Sequence, residues 1–388
     1  MDTPTLIQAR ARLARINEHL LGKPGGRSQI DTPALVLDLD ALEKNIGAMA
    51  DYAATRNMAL RPHGKTHKCP EIARRQIAAG AIGICCAKTT EVEAFAAEDI
   101  PSILLTAPVA DPRKLERLAR ARKALGELYM VVDDPAHVDA CEAVARLTQQ
   151  TVNVLIDMDV GQHRTGVVGP EAVVALARRV IETKGLTLAG LQAYAGQLQH
   201  IVEVRERESQ ARAVLAQVTA ARDALLSNGM ACGIVSGSGT GTFDIDAEAQ
   251  VYTELQVGSY VFMDAHYHEV RQKGAQGPTL VPALFVATQV ISNRHPGFVT
   301  TDAGSKSMAL DGSAPWVSRG APQGCAYRTS GDQFGRAVLP DSGSLPLGAR
   351  LELVPPHCDP TVNLYEMFHC VRGDVIEALW KIAGGAVS

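Results

Sequence analysis

A lysine between two histidines marks the segment LRPHGKTHK, residues 60–68. Its Gly-Lys-Thr core is typical of loops that bind nucleotide phosphates, in which the lysine reaches the outer phosphates. Such a loop needs a glycine five residues before Gly64, and Ala59 occupies that position. The spacing therefore argues against a nucleotide site and leaves a second interpretation, in which Lys65 ends a strand and acts as an amine nucleophile.

The two histidines suggest a third interpretation, a metal site. His63 and His67 are four residues apart and would share one face of a helix. Pro62 disfavours a helix because it biases the residue before it toward extended geometry. The metal pair is therefore the weaker alternative, and both histidines are expected to surround the lysine.

A glycine-rich run, SGSGTGT at 236–242, could hold an anion. Its small residues allow backbone N–H groups to converge on one point. Such a run is more often an ordinary loop, because glycine is the common residue where φ is positive. Together with a strand-end lysine, however, an anion loop suggests pyridoxal phosphate, which needs a Schiff-base lysine and an anchored phosphate.

The segment PPHCDP, residues 355–360, places a histidine two residues before a carboxylate. In an extended segment His357 and Asp359 would point to the same side and could share a metal, while Cys358 faces away. One histidine and one carboxylate, completed by water and substrate oxygens, suit Mn²⁺, Mg²⁺ or Co²⁺. Alone, the pattern is more often a turn histidine beside a capping aspartate. A one-residue bulge would present the thiol instead.

Composition limits the class of protein. The chain has 388 residues, 46% hydrophobic and 21% charged, with a formal net charge of −4, which is typical of a globular protein of two domains. This balance predicts no nucleic-acid partner. No stretch approaches the roughly 18 apolar residues of a membrane span, and residues 1–22 predict a surface helix rather than a signal peptide. Eight cysteines without C-x-x-C spacing predict buried free thiols and a cytoplasmic location.

The elements that must position these residues alternate from about Ala59 to Asp264. Amphipathic helices are predicted between short apolar strands, for example at 70–80, 112–126, 171–183 and 207–229. The predicted strands begin near Ala59, Gly83, Ser102, Tyr129, Val152, Leu188, Gly233 and Glu254. Eight strands alternating with helices predict a (β/α)8 TIM barrel. An open doubly wound sheet is the alternative, because periodicity does not reveal closure.

The pattern of apolar and turn-forming residues changes after about Gly274. Short strand patterns separated by Pro, Gly and Ser turns predict a compact, mostly antiparallel β-domain. The earlier strand ALVLDLD, residues 34–40, lies outside the barrel count. We therefore predict a barrel at 41–274 and a β-domain at 275–388 with a contribution from 1–40.

Active sites of such barrels lie at the C-terminal ends of the strands. The predicted strand ends combine an amine, an anion loop, and aromatic and cationic groups. They carry Lys65, Lys88, Asp159 with Arg164, Tyr194, and the runs 236–241 and 258–260.

Eight segments, in order from Asp31 to near the C-terminus, resemble the D-threonine aldolase and D-serine dehydratase-like family. They are TPALVLDLDALEKNI, RPHGKTHKCPEIARRQ, GICCAKTTEVEAF, DVGQHRTGV, LQAYAGQLQH, SGSGTGT, ELQVGSYVFMD and PHCDPTVNLY. The family consists of fold-type III, alanine-racemase-like pyridoxal phosphate enzymes. The resemblance implies a homodimer.

The resemblance also implies roles for single residues. Lys65 would bind the cofactor covalently, and Arg164 and Tyr194 would line its ring. An arginine at the pyridine nitrogen leaves that nitrogen unprotonated and the ring a weaker electron sink. His163 departs from the small residue expected beside this arginine. The phosphate would be held by Ser236, Gly237, Gly239, Thr240, Gly241, Gly258, Ser259 and Tyr260.

The spacing of the metal segment bears on the reaction. The dehydratase branch resembles H-x-C with a zinc-like site, whereas the aldolase branch looks like H-x-D, and the third position here is Asp359. We therefore expect a metal-assisted retro-aldol cleavage of 3-hydroxy-D-amino acids to glycine and an aldehyde. Mn²⁺ is the expected ion, with Mg²⁺ or Co²⁺ as alternatives and Zn²⁺ for a dehydratase. His200 is the expected base, since histidine titrates near neutral pH, and a metal-bound hydroxide competes with it.

Other outcomes stay open. The nearest rival is a D-serine or 3-hydroxy-D-aspartate dehydratase that releases an α-keto acid and ammonia. A hydroxyaspartate aldolase would need an extra cation for the β-carboxylate, and Lys306 and Arg319 are not placed near a site by the sequence. A non-catalytic pyridoxal phosphate carrier or a racemase would not need the H-x-D segment.

Overall fold

The computed structural model describes residues 16–270, 272, 277–340 and 343–383. Most of the helix predicted over residues 1–22 lies outside these ranges. The described chain forms two compact units. The barrel unit contains Ile46–Tyr260, and the β-unit contains 16–45, Val261–Glu269 and 280–383. The predicted domain boundaries at residues 40 and 274 stay a prediction.

The strands and helices are numbered in chain order. They are β1 (Ala34–Asp38), α1 (Leu39–Ala54), β2 (Ala59–Leu60), α2 (Pro70–Ala78), β3 (Ile84–Cys86), α3 (Thr89–Ala96), β4 (Ser102–Leu105), α4 (Pro112–Arg122), β5 (Glu127–Val132), α5 (Pro135–Thr148), β6 (Val152–Asp157), α6 (Pro170–Glu182), β7 (Leu186–Ala193), α7 (Val204–Ser227), β8 (Ile234–Gly237), α8 (Phe243–Ala249), β9 (Glu254–Leu255), α9 (Ala265–Glu269), β10 (Leu284–Ser292), β11 (Phe298–Thr301), β12 (Trp316–Arg319), β13 (Ala326–Thr329), β14 (Gly335–Val338), β15 (Arg350–Val354), α10 (Cys358–Val362), β16 (Met367–Arg372) and β17 (Val375–Lys381).

The barrel helices begin where the sequence supplies start signals. Helices α2, α4, α5 and α6 each begin with a proline, whose fixed φ suits the first helical position. Asp111 accepts a hydrogen bond from the Arg113 N–H at the start of α4, and Asp134 accepts one from the Ala136 N–H at the start of α5. These caps satisfy backbone donors that would otherwise lack partners.

The barrel unit contains one sheet of eight parallel strands, in the order β2-β9-β8-β7-β6-β5-β4-β3. Beyond β2 the chain continues along β3. The Cys85 N–H donates to the Pro62 carbonyl at 2.8 Å, and the Gly64 N–H donates to the Cys85 carbonyl at 2.8 Å. The two edges of the sheet therefore meet. The predicted (β/α)8 barrel is confirmed, and the alternative of an open sheet is wrong.

The barrel interior is filled from its N-terminal end. Arg61 contacts residues of strands that are not its neighbours, so its side chain crosses the interior: Nη1 donates to Ser102 Oγ at 2.9 Å, and Cζ lies 4.7 Å from the Tyr129 ring centroid. Its Nε donates to Glu254 Oε1 at 3.0 Å. An apolar cluster of Cys85, Leu104, Val131 and Leu155 follows. The polar groups that remain lie toward the C-terminal strand ends.

The β-unit contains nine strands in the order β11-β14-β13-β12-β15-β10-β1-β16-β17. Strand β10 also pairs with β11, which closes β10 to β15 into a six-stranded antiparallel barrel. The N-terminal strand β1 pairs with β10 antiparallel and with β16 parallel. Its apolar residues pack in a core that includes Ala34, Val36, Phe285, Val371 and Ile376. The predicted, mostly antiparallel β-domain is confirmed.

Some details differ from the predicted elements. The pattern ELQVGSYVFM predicts one strand, but only Glu254–Leu255 is a strand and Ser259–Val261 forms a 3₁₀ turn. Gly258, between the two elements, lies close to Thr66. All eight cysteines are free thiols, six of them buried. Among the described residues, no helix is long and apolar enough to cross a membrane.

Candidate active site

Lys65 lies in a tight turn directly after the barrel strand β2. His63 makes a single parallel bridge with Cys85, and the Lys68 N–H donates to the Gly64 carbonyl at 2.7 Å, so the chain reverses between these residues. The Lys65 N–H donates to His63 Nδ1 at 3.4 Å. The side chain of Lys65 is half-buried. The turn therefore presents an amine at the C-terminal end of the barrel.

The two histidines of the turn point to different surroundings. His63 Nε2 lies 3.2 Å from Thr106 Oγ1 at the end of β4. His67 is fully buried, its Nδ1 accepts from the Cys69 N–H at 3.1 Å, and its ring centroid lies 6.0 Å from that of Phe95. The two rings therefore make different contacts, and the supporting role expected for both histidines stays a prediction.

The second lysine of the segment forms an internal ion pair. Lys68 Nζ lies 3.9 Å from Glu91 Oε1, and both side chains are buried. Burial raises the pKa of Glu91, although the Ala87 N–H and the Lys68 charge oppose this. Lys88, another predicted strand-end residue, occupies the N-cap position of helix α3, where its N–H donates to Glu91 Oε2 at 3.3 Å. Lys65 lies inside the turn that the Lys68 N–H closes.

The glycine-rich loop after β8 packs on the side chain of Gln199. A Cβ added to Gly239 would lie 2.3 Å from Gln199 Oε1, and one added to Gly241 would lie 2.0 Å from the Gln199 carbonyl oxygen. Gln199 Oε1 accepts from the Gly241 N–H at 2.9 Å, and Gln199 Nε2 donates to Thr242 Oγ1 at 3.2 Å. Gly241 is therefore needed for close approach, and its N–H is used within the protein.

The glycine-rich loop, the lysine turn and the 258–260 turn meet at one place. The Tyr260 N–H donates to Thr240 Oγ1 at 3.1 Å. A Cβ added to Gly258 would lie 2.6 Å from Thr66 Oγ1, next to Lys65. Two glycine-containing segments therefore lie beside the lysine turn and form what we call the cradle; glycine-rich backbone suits the binding of a small anion. The residues present fit the phosphate of pyridoxal phosphate.

Tyr260 contributes to this cradle through its backbone rather than its side chain. Its hydroxyl accepts a hydrogen bond from Gln76 Nε2 at 3.0 Å in a fully buried position. Burial raises the pKa of this phenol. The hydroxyl therefore anchors the turn to helix α2.

Arg164 lies at the tip of a loop that folds back on itself after β6. The Asp159 N–H donates to the Val167 carbonyl at 3.0 Å, which closes the loop. The Arg164 guanidinium carbon lies 5.8 Å from the ring centroid of Tyr194, which directly follows β7. The structure brings this predicted pair together at neighbouring strand ends.

The unexpected His163 has a conformational explanation. Its φ is +54°, a left-handed value that usually favours glycine or asparagine. Its ring Nδ1 lies 2.9 Å from Asp159 Oδ2, and its N–H donates to Asp159 Oδ1 at 3.0 Å. Although partial burial acts in the opposite direction, these bonds and the Gly161 N–H lower the pKa of Asp159. The two bonds to Asp159 therefore stabilise the left-handed conformation of His163, which a small residue adopts without such bonds.

A chain of side-chain amides lies inside the barrel below the strand ends. Gln192 Nε2 donates to Asp157 Oδ1 at 2.8 Å, and Gln256 Nε2 donates both to Gln192 Oε1 at 3.2 Å and to Ser236 Oγ at 2.8 Å. Burial raises the pKa of Asp157 to about 6, although Gln192 and Thr165 donate to it. This network connects the ends of β6, β7, β8 and β9.

Four of the residues that hold the site were not singled out from the sequence: Asp157, Gln192, Gln199 and Gln256. The sequence could have indicated Gln192, because it lies two residues before Tyr194 and residues two apart in an extended chain point to the same side. Gln199 directly precedes His200 in a turn between β7 and α7. His200 itself is half-buried there, near the glycine-rich loop that Gln199 supports.

The metal segment is not extended through Asp359, as the spacing argument assumed. His357 is extended, with φ −144° and ψ 124°, but Cys358–Val362 forms a short helix. The Cys358 N–H donates to Asp264 Oδ2 at 2.8 Å, and Thr361 Oγ1 donates to the His357 carbonyl at 2.6 Å. These bonds fix the first turn. The predicted geometry is therefore wrong, although the two side chains still approach each other.

His357 and Asp359 fit a shared metal ion. Nε2 of His357 lies 3.9 Å from Oδ2 of Asp359. Two donors that each lie about 2.1 Å from one ion can be at most about 4.2 Å apart, so one ion fits between them. Within the described ranges no group of three His, Cys, Asp or Glu residues is arranged for a metal. Oxygen atoms of water and substrate would have to complete the coordination.

Cys358 is buried within the β-unit. Its residue is fully inaccessible, and its Sγ lies 3.6 Å from Asp359 Oδ2. Since the chain continues as a helix, no bulge turns the thiol outward. The carboxylate rather than the thiol faces the imidazole.

Two family models match the chain. The model described as the alanine racemase N-terminal domain matches residues 37–266, and that of a putative serine dehydratase domain matches 283–371. The structure is similar to a D-threonine aldolase from Filomicrobium marinum, with a TM-score of 0.89 and 37% identity over 93% of this chain and 97% of that one. The fold and site thus define an alanine-racemase-like protein.

Curated relatives give a narrower assignment. The chain is 39% identical to a D-threonine aldolase from Arthrobacter sp. over 93% of this chain and 94% of that protein. It is 38% identical to a 3-hydroxy-D-aspartate aldolase from Paracoccus denitrificans over 92% of each. A D-threo-3-hydroxyaspartate dehydratase from Delftia sp. is 28% identical. The chain belongs to the family of D-threonine and 3-hydroxy-D-aspartate aldolases, pyridoxal-phosphate-dependent lyases, and the resemblance predicted from the sequence is confirmed.

Proposed function

We propose that the protein is a pyridoxal phosphate- and divalent-metal-dependent aldolase that cleaves 3-hydroxy-D-amino acids of the D-threonine and D-phenylserine type to glycine and an aldehyde. The observation that carries the proposal is the carboxylate of Asp359 beside His357, with the Cys358 thiol buried behind it. Mn²⁺ is the proposed ion, because histidine and carboxylate donors completed by water suit it.

The barrel residues bind and orient the cofactor. Lys65 supplies the amine for its attachment, and Ser236, Gly237, Gly239, Thr240 and the 258–260 turn hold the phosphate. Arg164 and Tyr194 would line the ring; the Arg164 guanidinium carbon lies 5.8 Å from the Tyr194 ring centroid. When bound, pyridoxal phosphate supplies an acceptor for the electrons released at Cα.

Proton transfer is the role proposed for His200, and metal binding is the role proposed for His357 and Asp359. An ion held by these two residues would supply Lewis acidity toward a hydroxyl group. His200 accepts the hydroxyl proton, since a neutral imidazole is a good base near neutral pH. The Cα–Cβ bond then breaks, the aldehyde leaves, and a proton returns to Cα to give glycine.

Two alternatives share this site. A 3-hydroxy-D-aspartate aldolase is supported by the similar identity to the Paracoccus protein. It would need a cation, but Lys306 and Arg319 pair with Asp332 and Glu352 respectively. A dehydratase that releases an α-keto acid and ammonia has the weaker support of the more distant relative. We further propose a cytoplasmic homodimer.

Product analysis tests the proposal. The chelator-treated protein, loaded with pyridoxal phosphate, is incubated with D-threonine, D-phenylserine or 3-hydroxy-D-aspartate, with and without Mn²⁺. We expect glycine and an aldehyde, formed only with Mn²⁺. An α-keto acid with ammonia would assign the dehydratase reaction, and no turnover with any substrate would leave only a cofactor carrier.

The Lys65→Ala variant tests the cofactor role in the same assay. We expect it to lose the visible absorbance of the attached cofactor and all turnover, because the amine proposed to bind the cofactor is removed and the Lys68 amine is buried beside Glu91. Lys184→Ala, an exposed lysine of the same unit, is the matched control. An unchanged absorbance band in Lys65→Ala would contradict the assignment.

A further inference from the structure

A carboxylate outside the H-x-D motif lies against the metal-segment histidine. Oδ2 of Asp311 is 2.7 Å from Nδ1 of His357. The other ring nitrogen, Nε2, faces Asp359. A neutral imidazole that donates its Nδ1 proton to a carboxylate carries its lone pair on Nε2, the nitrogen that would bind an ion. The hydrogen bond therefore selects both the tautomer and the ring orientation.

The loop that carries Asp311 is fixed to the metal segment. The Ala309 N–H donates to Thr361 Oγ1 at 3.1 Å, and the same hydroxyl donates to the His357 carbonyl at 2.6 Å. Thr361 is fully buried. Tyr365 donates from its hydroxyl to the Ser307 carbonyl at 2.7 Å. Thr361, in helix α10, and Tyr365, which follows the helix, therefore set the position of Asp311 relative to His357.

Gly312 allows the loop to approach closely. Its φ is +101°, and a Cβ added there would lie 3.2 Å from the Pro356 carbonyl oxygen. The backbone directly after Asp311 therefore passes against the residue before His357. A larger residue would be strained in this conformation.

We propose that Asp311 is a positioning residue for the metal site, holding His357 so that Nε2 binds the ion. The inference rests on the proposed function. Asp311 is not itself a ligand, since its Oδ2 is engaged by Nδ1 and no three acidic, histidine or cysteine side chains of the described chain are arranged for a metal. Outer partners of metal-binding histidines commonly change metal affinity about 10- to 100-fold.

Mn²⁺ titration of the full-length, cofactor-loaded and chelator-treated protein tests the proposal, with free Mn²⁺ followed by its EPR signal. We expect Asp311→Ala to raise the dissociation constant about tenfold or more. Asp311→Asn keeps an oxygen that can accept the Nδ1 proton, so it should raise the constant less. The matched control is Asp332→Ala, an exposed carboxylate of the same unit, which should leave it unchanged.

The outcomes separate this inference from the proposed function. If the wild-type protein binds no Mn²⁺, the proposed metal dependence fails and the inference with it. If the wild-type protein binds Mn²⁺ and Asp311→Ala binds it equally well, only the inference is overturned. The absorbance of the cofactor bound to the barrel unit should stay unchanged in Asp311→Ala, whereas a misfolded variant would lose it. If Asp311→Ala does not fold, wild-type affinity in a folded Asp311→Leu variant also overturns the inference.

Discussion

The lysine turn depends on Gly64, a residue without a side chain. A Cβ added to Gly64 would lie 2.7 Å from Phe95 and 2.8 Å from Ile84, so only glycine lets the turn sit this close to β3 and α3. The sequence predicted Lys65 at a strand end because the pattern there is local. It could not predict the reason for Gly64, because Phe95 approaches it only in the folded barrel.

Asp157 is a second residue whose folded environment could not be predicted from the sequence. It leads to a prediction about the pH dependence of stability. Its pKa is raised by burial to about 6, above the roughly 3.9 of an exposed aspartate. Between these values the folded state keeps a proton that the unfolded state releases. The contribution of Asp157 to the free energy of unfolding should therefore fall as pH rises, by about 1.4 kcal/mol per pH unit, and level off above the folded pKa.

Urea unfolding of the wild type and Asp157→Asn between pH 4 and pH 7 measures this contribution. We expect the stability of the wild type relative to the variant to decrease over the lower part of this range. Asp139→Asn replaces an exposed carboxylate and should keep the wild-type dependence. Parallel curves for the wild type and Asp157→Asn would refute the raised pKa.

At the scale of elements, the loops after the strands are held by side chains from neighbouring loops. The turn between β7 and α7 supplies Gln199 to the glycine-rich loop after β8, and the turn after β9 bonds to Thr240 in that loop. The alternating strand and helix pattern predicted where these loops begin. It did not predict the helix at Cys358–Val362. The bond to Asp264 that helps to start this helix is a tertiary contact, and the bond from Thr361 is a local one. The H-x-D spacing reveals neither of them.

Gln199 therefore carries a prediction for the loop. Gln199→Ala leaves the buried Gly241 N–H without its acceptor, which costs about 1–3 kcal/mol. We expect the dissociation constant for pyridoxal phosphate to rise about tenfold, since 1.4 kcal/mol corresponds to a factor of ten. Absorbance titration of the dialysed protein measures it. Gln210→Ala, on the exposed face of α7, is the control, and equal affinity in both variants would disprove the supporting role.

At the scale of the whole molecule, the residues of the proposed chemistry are divided between two closed β-structures. The barrel unit holds the lysine turn and the cradle, and the β-unit holds His357 and Asp359. Both architectures could be predicted from strand spacing and turn composition. Closure of the barrel could not, because it rests on Pro62 and Cys85 pairing across a seam that periodicity does not encode.

A buried ion pair inside the barrel joins Arg61, directly after β2, to Glu254 on the neighbouring strand β9. Arg61 and Glu254 are each almost fully buried, and removing one partner of a buried pair costs about 3–5 kcal/mol. We expect Glu254→Leu to lower the free energy of unfolding by about 3 kcal/mol, measured by urea denaturation. The double variant Arg61→Met with Glu254→Leu should recover part of this loss, because no charge is then left unpaired.

The exposed pair of Arg179 and Asp139 is the comparison for that experiment. Both side chains are about half exposed, so Asp139→Leu should change stability by less than about 1 kcal/mol. Equal losses for Glu254→Leu and Asp139→Leu would show that the interior pair does not support the barrel.

The pairing of residues 62–64 with Cys85, which closes the barrel, also has a consequence for biosynthesis. Strand β2 lies between β3, its neighbour in sequence, and β9, the last strand of the barrel. The lysine turn is made early on the ribosome, but the residues that line it at 254–260 emerge only after the other barrel strands. Such distant pairings form late in folding. The nascent chain thus contains Lys65 long before the barrel around it is complete, and we expect capture of pyridoxal phosphate to follow completion of the barrel.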